Sequence, residues 1–321
     1  MKSGPEDRMH MAANFSTRNV TVRRISANMA TDERNFRSVY YEKVGCRGVG
    51  ETNKLENLLK EKLVDQGKLK QFCIRFAVPV RHRSLLWCSL LNIRPMYTNS
   101  LQYVMTQRKA VYNDLLHALK MMRLVDEAKM PKSRILYAMW LLETKRLHLG
   151  FNISTTEHNF IGISETLLQL FDDEVEIYWM AKKFYEITED IEKDLPKLIT
   201  LTTSLFEKNN QELFRYLETH NLLQKLPLNR WYVTCFSGVL NETALAKVWD
   251  KIIGGSFQIL AFVLYKMLSK LERSIYKCKD IDSLLECIEK LNAKNDQEMS
   301  DVIVSKSIEM WQSSEFFYKS S

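Results

Sequence analysis

Apolar residues recur along most of this chain at intervals of three and four. Leu55, Leu58, Leu59 and Leu63 form one stripe, and Leu85, Leu86, Trp87 and Leu90 load a shorter one, with Pro79 suited to its first turn. The spacing returns at Val175, Tyr178, Ala181, Phe184 and Tyr185, at Leu213, Tyr216 and Leu217, at Ala244, Leu245, Val248 and Trp249, and at Val302, Ile303, Ile308 and Trp311. Such intervals gather side chains on one face of a 3.6-residue turn. Pro131 and Pro227 stand where two more helices can begin. Alternating strand patterns and Asn-Gly turns are absent, and ten glycines in 321 residues leave little material for sheet turns. The pattern predicts an all-α protein of about fifteen helices with short connections.

One segment carries more apolar surface than a single core face requires. In SLQYVMTQRKAVYNDLLHALKMMRLV (100–125), Leu101, Val104, Met105, Val111, Tyr112, Leu115, Leu116, Leu119 and Met122 span roughly 160° of a helical wheel. Tyr103, Ala118, Met121 and Val125 widen the arc beyond half the circle. Such a helix is either sandwiched between two neighbours in the core or leaves one edge to an amphipathic partner helix, with methionines adapting to it and Arg108 at the rim. The second arrangement makes Tyr103, Val104, Arg108, Val111 and Tyr112 the candidate partner-binding residues.

Residues 1–34 lack the period and are rich in Asn, Arg, Ser, Thr and Met, which predicts a disordered extension ahead of a helical domain over 35–321. Arg23-Arg24-Ile25-Ser26 has the form of a basic-directed phosphorylation site, a tetrapeptide that also recurs by chance. Glu6 and Asp7 count against a mitochondrial presequence.

Composition narrows the function classes. At 45% hydrophobic and 26% charged residues the chain has a globular make-up. Its formal charge of +7 is modest, and the first 28 residues contribute five basic side chains against two acidic ones. The remainder is only mildly basic, which argues against a dedicated nucleic-acid binder. Six cysteines without a Cys-x-x-Cys pair predict reduced thiols rather than a metal site, and His82, His117, His148, His158 and His220 show no ligand spacing. The longest apolar run, FQILAFVLY (257–265), is about half the ~20 residues a spanning helix needs, which predicts a cytoplasmic protein without a transmembrane segment. Glycosylation-like triplets at Asn14, Asn19, Asn152 and Asn241 then carry no meaning, and Asn241 is better understood as a helix cap. Gly254-Gly255 is not followed by Lys-Ser/Thr, so it is no phosphate loop, and no nucleophile signature or cofactor motif occurs.

Two segments go further. RSLLW (83–87) has an Arg-x-x-x-Trp spacing after Val78-Pro79 and before Leu90-Leu91. Far downstream, residues 226–268 carry Trp231, Phe236, the pair Trp249-Asp250, Gly254, Gly255 and an aliphatic helix. In this order they resemble the TBC domain, the all-helical, two-lobed fold of Rab GTPase-activating proteins. Physical chemistry alone makes Trp87, Trp231 and Trp249 core residues, and places Asp250 on a solvated face unless an arginine meets it inside. NFRSVYYEKVG (35–45), DLLHALK (114–120) and DVIVSKSIEMW (301–311) resemble more closely the TBC proteins that are subunits of the tuberous sclerosis complex, which makes Met29 a candidate start. That resemblance implies binding to the hamartin coiled coil within a complex with tuberin, where tuberin activates the GTPase Rheb and so restrains TOR signalling. It also implies recruitment to the lysosomal surface through the complex.

Active members of the family lend the GTPase an arginine from Ile-x-x-Asp-x-x-Arg and a glutamine from Tyr-x-Gln-Gly. An arginine finger is worth about 10³–10⁵ in rate, or roughly 4–7 kcal/mol. In WLLETKRLHL (140–149) one register gives Met139, Leu142 and Lys145, and the next gives Trp140, Glu143 and Arg146, on a helix expected to run from about Pro131 to Arg146. Tyr-x-Gln-Gly occurs nowhere, and counting back from IYW (177–179) puts Asn159 at the glutamine's place. Lys145, Arg146 and Asn159 are thus expected to be degenerate finger positions, with Arg146 a helix-end base favoured by the macrodipole and no catalytic residue in the chain. The competing expectation is an active GTPase-activating protein for a Rab-type small GTPase that uses Arg146 and an unrecognised second group.

Overall fold

A computed structural model describes residues 49–314, apart from 149, 151, 154 and 293–296. The expected N-terminal extension, the Arg23-to-Ser26 tetrapeptide, NFRSVYYEKVG and Cys46 lie outside the described residues. The chain divides between Lys54 and Leu55 into two units, and the described core belongs to the second.

Among the described residues there is no strand, only one isolated antiparallel bridge between Leu63 and Tyr97. The helices are α1 (Val49–Lys60), α2 (Gln66–Arg75), α3 (Val80–Leu90), α4 (Leu101–Met121), α5 (Lys132–Glu143), α6 (Asn159–Leu170), α7 (Glu174–Lys193) and α8 (Leu195–Asn209). They continue with α9 (Gln211–Thr219), α10 (Leu222–Lys225), α11 (Leu228–Val233), α12 (Glu242–Ile253), α13 (Ile259–Lys270), α14 (Glu272–Ile275), α15 (Ile281–Glu289) and α16 (Gln297–Gln312).

Local chemistry sets many of these boundaries. Asp65, Asp173, Asn210, Asn241 and Asp280 each accept a backbone N–H in the first turn of the helix that follows, satisfying a donor the helix cannot. Asn241 is therefore the cap its sequence position suggested. Pro79, Pro131 and Pro227 stand immediately before α3, α5 and α11, where a missing N–H costs nothing.

The helices pack in two groups. In the first, α4, α5, α6 and α7 lie against one another in succession. In the second, α13 packs between α8 and α16. Helix α12 joins the groups, touching α2, α3 and α6 on one side and α13 and α16 on the other.

At that junction the two family-like segments meet. Arg83 on α3 donates from Nε to Asp250 Oδ1 and from Nη2 to Asp250 Oδ2, both at 3.1 Å, and Nη2 also reaches the Val78 carbonyl at 3.1 Å. One turn on, Trp87 Nε1 donates to the same Asp250 Oδ1 at 2.8 Å. Asp250 is only 1% exposed, so the solvated-face expectation for it is overturned: the carboxylate is inside because three donors meet it there. Burial pushes its carboxyl up and the Arg83 guanidinium opposes that push. The neighbouring Lys251 extends the anchor by donating to the carbonyls of Cys73 at 2.5 Å and Phe76 at 2.6 Å, closing the C-terminal end of α2. Trp249 stacks on Phe184 at 4.2 Å and donates to the Cys235 carbonyl at 3.0 Å. Trp87, Trp231 and Trp249 are all core residues, as their apolar spacing required.

Candidate functional site

Helix α4 is not sandwiched. Of its 21 residues only Tyr112 and Leu119 are buried, so the expectation of a doubly covered core helix is corrected. One face rests on α5 and α7, and the opposite face is open. Tyr103 is 70% exposed and Val111 38%, and the open surface continues past the helix end through Met121, Met122 and Leu124. Val104 lies half-buried at the edge of this face. From Val104 the steps to Arg108, Val111, Leu115, Ala118 and Met122 alternate between four and three residues, a spacing that forms a straight seam against a second helix. At 1.5 Å per residue α4 offers about 31 Å of length.

Two of the five candidate contacts are engaged elsewhere. Tyr112 is 6% exposed, donates its hydroxyl to Glu174 Oε2 at 3.1 Å and meets Tyr178 edge-on at 5.9 Å, so the core and not a partner takes its ring. Arg108 is no rim charge: Nε donates to the Ile93 carbonyl at 2.7 Å and Nη2 to the Asn92 carbonyl at 2.8 Å, while the guanidinium lies 4.5 Å over the Trp179 ring. It closes the chain after α3 in the way a C-cap residue closes a helix. Tyr103, Val104 and Val111 remain on the accessible side.

The WLLETKRLHL segment ends a helix. Residues Ile135 to Leu141 of α5 are all buried, and the helix stops at Glu143, three residues short of the expected Arg146. Lys145 takes a left-handed backbone with φ +59°. Its N–H donates to the Leu142 carbonyl at 3.1 Å and the Arg146 N–H to the Leu141 carbonyl at 2.8 Å, satisfying two orphaned carbonyls of the last turn. A lysine here, where glycine is usual, costs about 1–2 kcal/mol. Glu143 is also committed, accepting from the Tyr178 hydroxyl and from Lys182 Nζ, each at 2.6 Å. Its carboxylate serves α7 and not the arginine three residues on.

Arg146 is exposed and lies with its guanidinium 4.9 Å over Trp140. Trp140 belongs to a cluster with Tyr137 at 5.8 Å, Phe160 at 5.2 Å, Tyr185 at 5.2 Å and His158 at 5.4 Å. Arg134 ties the returning loop to the cluster by donating from Nη1 to the Ile153 and Thr156 carbonyls at 2.8 and 2.9 Å. His158 caps α6, its Nδ1 accepting from the Phe160 N–H at 3.2 Å. Burial, and secondly the charge of Arg146, hold this imidazole below its usual 6.5, which keeps the accepting lone pair available. Asn159 is the first residue of α6, half-buried between His158 and Phe160. The fold thus brings Arg146 and Asn159 to one aromatic cluster, although twelve residues lie between them in the sequence. The sequence signalled neither the left-handed turn at Lys145, which has no glycine to mark it, nor the bond between Glu143 and Lys182, 39 residues away.

Among the described residues no cluster of His, Cys, Asp and Glu could hold a metal ion, and no helix is long and apolar enough to cross a membrane.

A family model described as the Rab-GTPase-TBC domain matches residues 159–276. The chain is similar to TBC1 domain family member 7 of Homo sapiens, at 35% identity over 282 residues that cover 87% of this chain and 94% of the relative. The protein of the same name from Danio rerio is 33% identical over 288 residues, covering 88% and 96%. Among solved structures, the Ypt/Rab-GAP domain of Gyp1p superposes with a TM-score of 0.58 at 13% identity, covering 81% of this chain and 97% of that domain. The Chlamydomonas flagellar RabGAP TBC domain gives a TM-score of 0.51 at 17% identity, covering 86% and 94%.

Proposed function

Since the chain belongs to the TBC-domain family, alongside the proteins called TBC1 domain family member 7, we propose that it acts as a non-catalytic subunit that holds a helical partner along α4. The partner we assign is the hamartin coiled coil, in a complex with tuberin that inactivates Rheb and restrains TOR signalling. Cytoplasmic residence with recruitment to the lysosomal surface follows from that assignment. The reading rests on one observation above the others: the open face of α4, where Tyr103 is exposed beside Val104 and Val111, and these two valines stand on a seam of alternating four- and three-residue steps. Such a seam is what one helix presents to another, with apolar area for affinity and regular spacing for register.

The arrangement around Arg146 supports the non-catalytic half. A finger must be free to enter the nucleotide site, yet this arginine lies on Trp140, and the carboxylate three residues before it is bound to Lys182 and Tyr178. No Tyr-x-Gln-Gly exists to orient water, and Asn159 is shorter than glutamine by one methylene. The alternative, an active GTPase-activating protein for a Rab-type GTPase, draws on the exposure of Arg146 beside the first turn of α6. An affinity pull-down tests the partner half: hamartin coiled coil captured by the native protein should be lost when Tyr103 and Val111 are both changed to glutamate. Full recovery by that variant removes α4 from the binding surface.

A further inference from the structure

The fold brings together two cysteines that the sequence leaves nine residues apart without a recognisable motif. Cys278 lies in the turn after α14 and Cys287 on α15, and their Sγ atoms are 3.8 Å apart. Both are free thiols, Cys278 buried and Cys287 partly exposed. Their backbones are held independently of each other. Tyr216 donates its hydroxyl to the carbonyls of Tyr276 at 3.2 Å and Cys278 at 3.0 Å, pinning the turn from α9. Cys287 is carried by a helix capped by Asp280 and anchored through the buried Leu284 and Ile288. Two thiols fixed from separate elements yet nearly in van der Waals contact are preorganised for a bond. Forming it requires the sulfurs to close from 3.8 Å to about 2 Å.

We propose that Cys278 and Cys287 are a reversible dithiol–disulfide pair, oxidised by peroxides and reduced by dithiols. The Cys287 sulfur, as thiolate, attacks one oxygen of hydrogen peroxide; an S–O bond forms, the O–O bond breaks, and the departing hydroxide takes up a proton as water. The resulting sulfenic acid is attacked by the Cys278 sulfur, which gives up its proton; the S–S bond forms, the S–O bond breaks and a second water leaves. Two thiols lose two electrons and two protons, and one peroxide becomes two waters. The roles follow from exposure, because peroxide reaches Cys287 first. Burial pushes the Cys278 thiol up and shields it, which disfavours it as the group that meets peroxide first. Reduction by a dithiol returns both thiols and leaves the reductant oxidised. The bond would lock the 276–280 turn to α15.

Cys73, Cys88 and Cys235 are internal references, being buried with thiols pushed up by that burial, Cys88 to about 12. The test uses the whole protein, treated with stoichiometric hydrogen peroxide, alkylated with N-ethylmaleimide and mapped by mass spectrometry. The expected product is lighter by two hydrogens before alkylation, contains a linked Cys278–Cys287 peptide, and is restored by dithiothreitol. In Cys278→Ser, the Cys287 sulfenic acid should persist and be trapped by dimedone at several-fold the level in the native protein. Circular dichroism confirms that the variant folds. Equal trapping in both proteins, a link from either cysteine to another such as Cys46, or full alkylation of Cys278 and Cys287 after peroxide each overturns the proposal.

Discussion

Replacing Asp250 with asparagine should destabilise this protein more than almost any other isosteric change. The substitution keeps the shape of the side chain and deletes its charge, stranding the Arg83 guanidinium, which is itself buried against the Val78 carbonyl. Three donated hydrogen bonds converge on Asp250, from Arg83 Nε, Arg83 Nη2 and Trp87 Nε1. Removing one member of a buried ion pair costs about 3–5 kcal/mol, chiefly because the other charge remains desolvated. For a domain of this size that lowers Tm by roughly 6–20 °C. Equilibrium urea unfolding followed by tryptophan fluorescence measures it directly, since Trp87 and Trp249 lie 6.1 Å apart beside the pair. The companion variant with Arg83→Met and Asp250→Leu removes both charges and should recover most of the loss, as apolar replacements of buried pairs commonly do. A loss below about 1 kcal/mol for Asp250→Asn, with an unchanged m value, would show that the pair is not the anchor its geometry indicates.

Lys145→Gly should leave the protein as stable as before or stabilise it by up to about 1 kcal/mol, because glycine adopts the left-handed backbone freely; a loss larger than that in urea unfolding contradicts the helix-end account. Tyr103→Glu should change stability by no more than about 0.5 kcal/mol, whereas Tyr112→Ala should cost about 3–5 kcal/mol, a contrast that thermal unfolding of the two variants checks. His158 has its folded pKa held below 6.5, so the unfolded chain takes up the proton first as pH falls. Its contribution to stability is present above about 6.5 and is lost as pH drops below that toward the folded value. His158→Asn keeps a cap acceptor without titrating, so unfolding measured between pH 7.5 and 5.5 should show the native protein losing stability relative to that variant; parallel curves refute the assignment.

Much of the architecture was legible because helices advertise themselves locally. The apolar stripes of α3, α7, α9, α12 and α16, the Asn241 cap and the three prolines before α3, α5 and α11 all follow from interactions within a few residues. Arg83 and Asp250 were visible as residue types, but not as a pair, since 167 residues separate them and only packing makes a buried carboxylate affordable. The α4 candidates divided for the same reason. Both Tyr103 and Tyr112 were candidates for a partner, and the position of α7 turns Tyr112 inward onto Glu174 and leaves Tyr103 in water. The helix was expected to reach Arg146 because nothing in the composition of ETKRL forbids it; the left-handed lysine that ends it carries no sequence mark.

Single-turnover GTP hydrolysis tests the central claim most directly. Rheb and a panel of Rab GTPases, each loaded with GTP, should hydrolyse it at their intrinsic rates when this protein is added in excess, with native protein and Arg146→Ala indistinguishable. Acceleration of any of them by several orders of magnitude, abolished by Arg146→Ala, would mean that the arginine leaves Trp140 to enter the nucleotide site, and that the molecule is an enzyme.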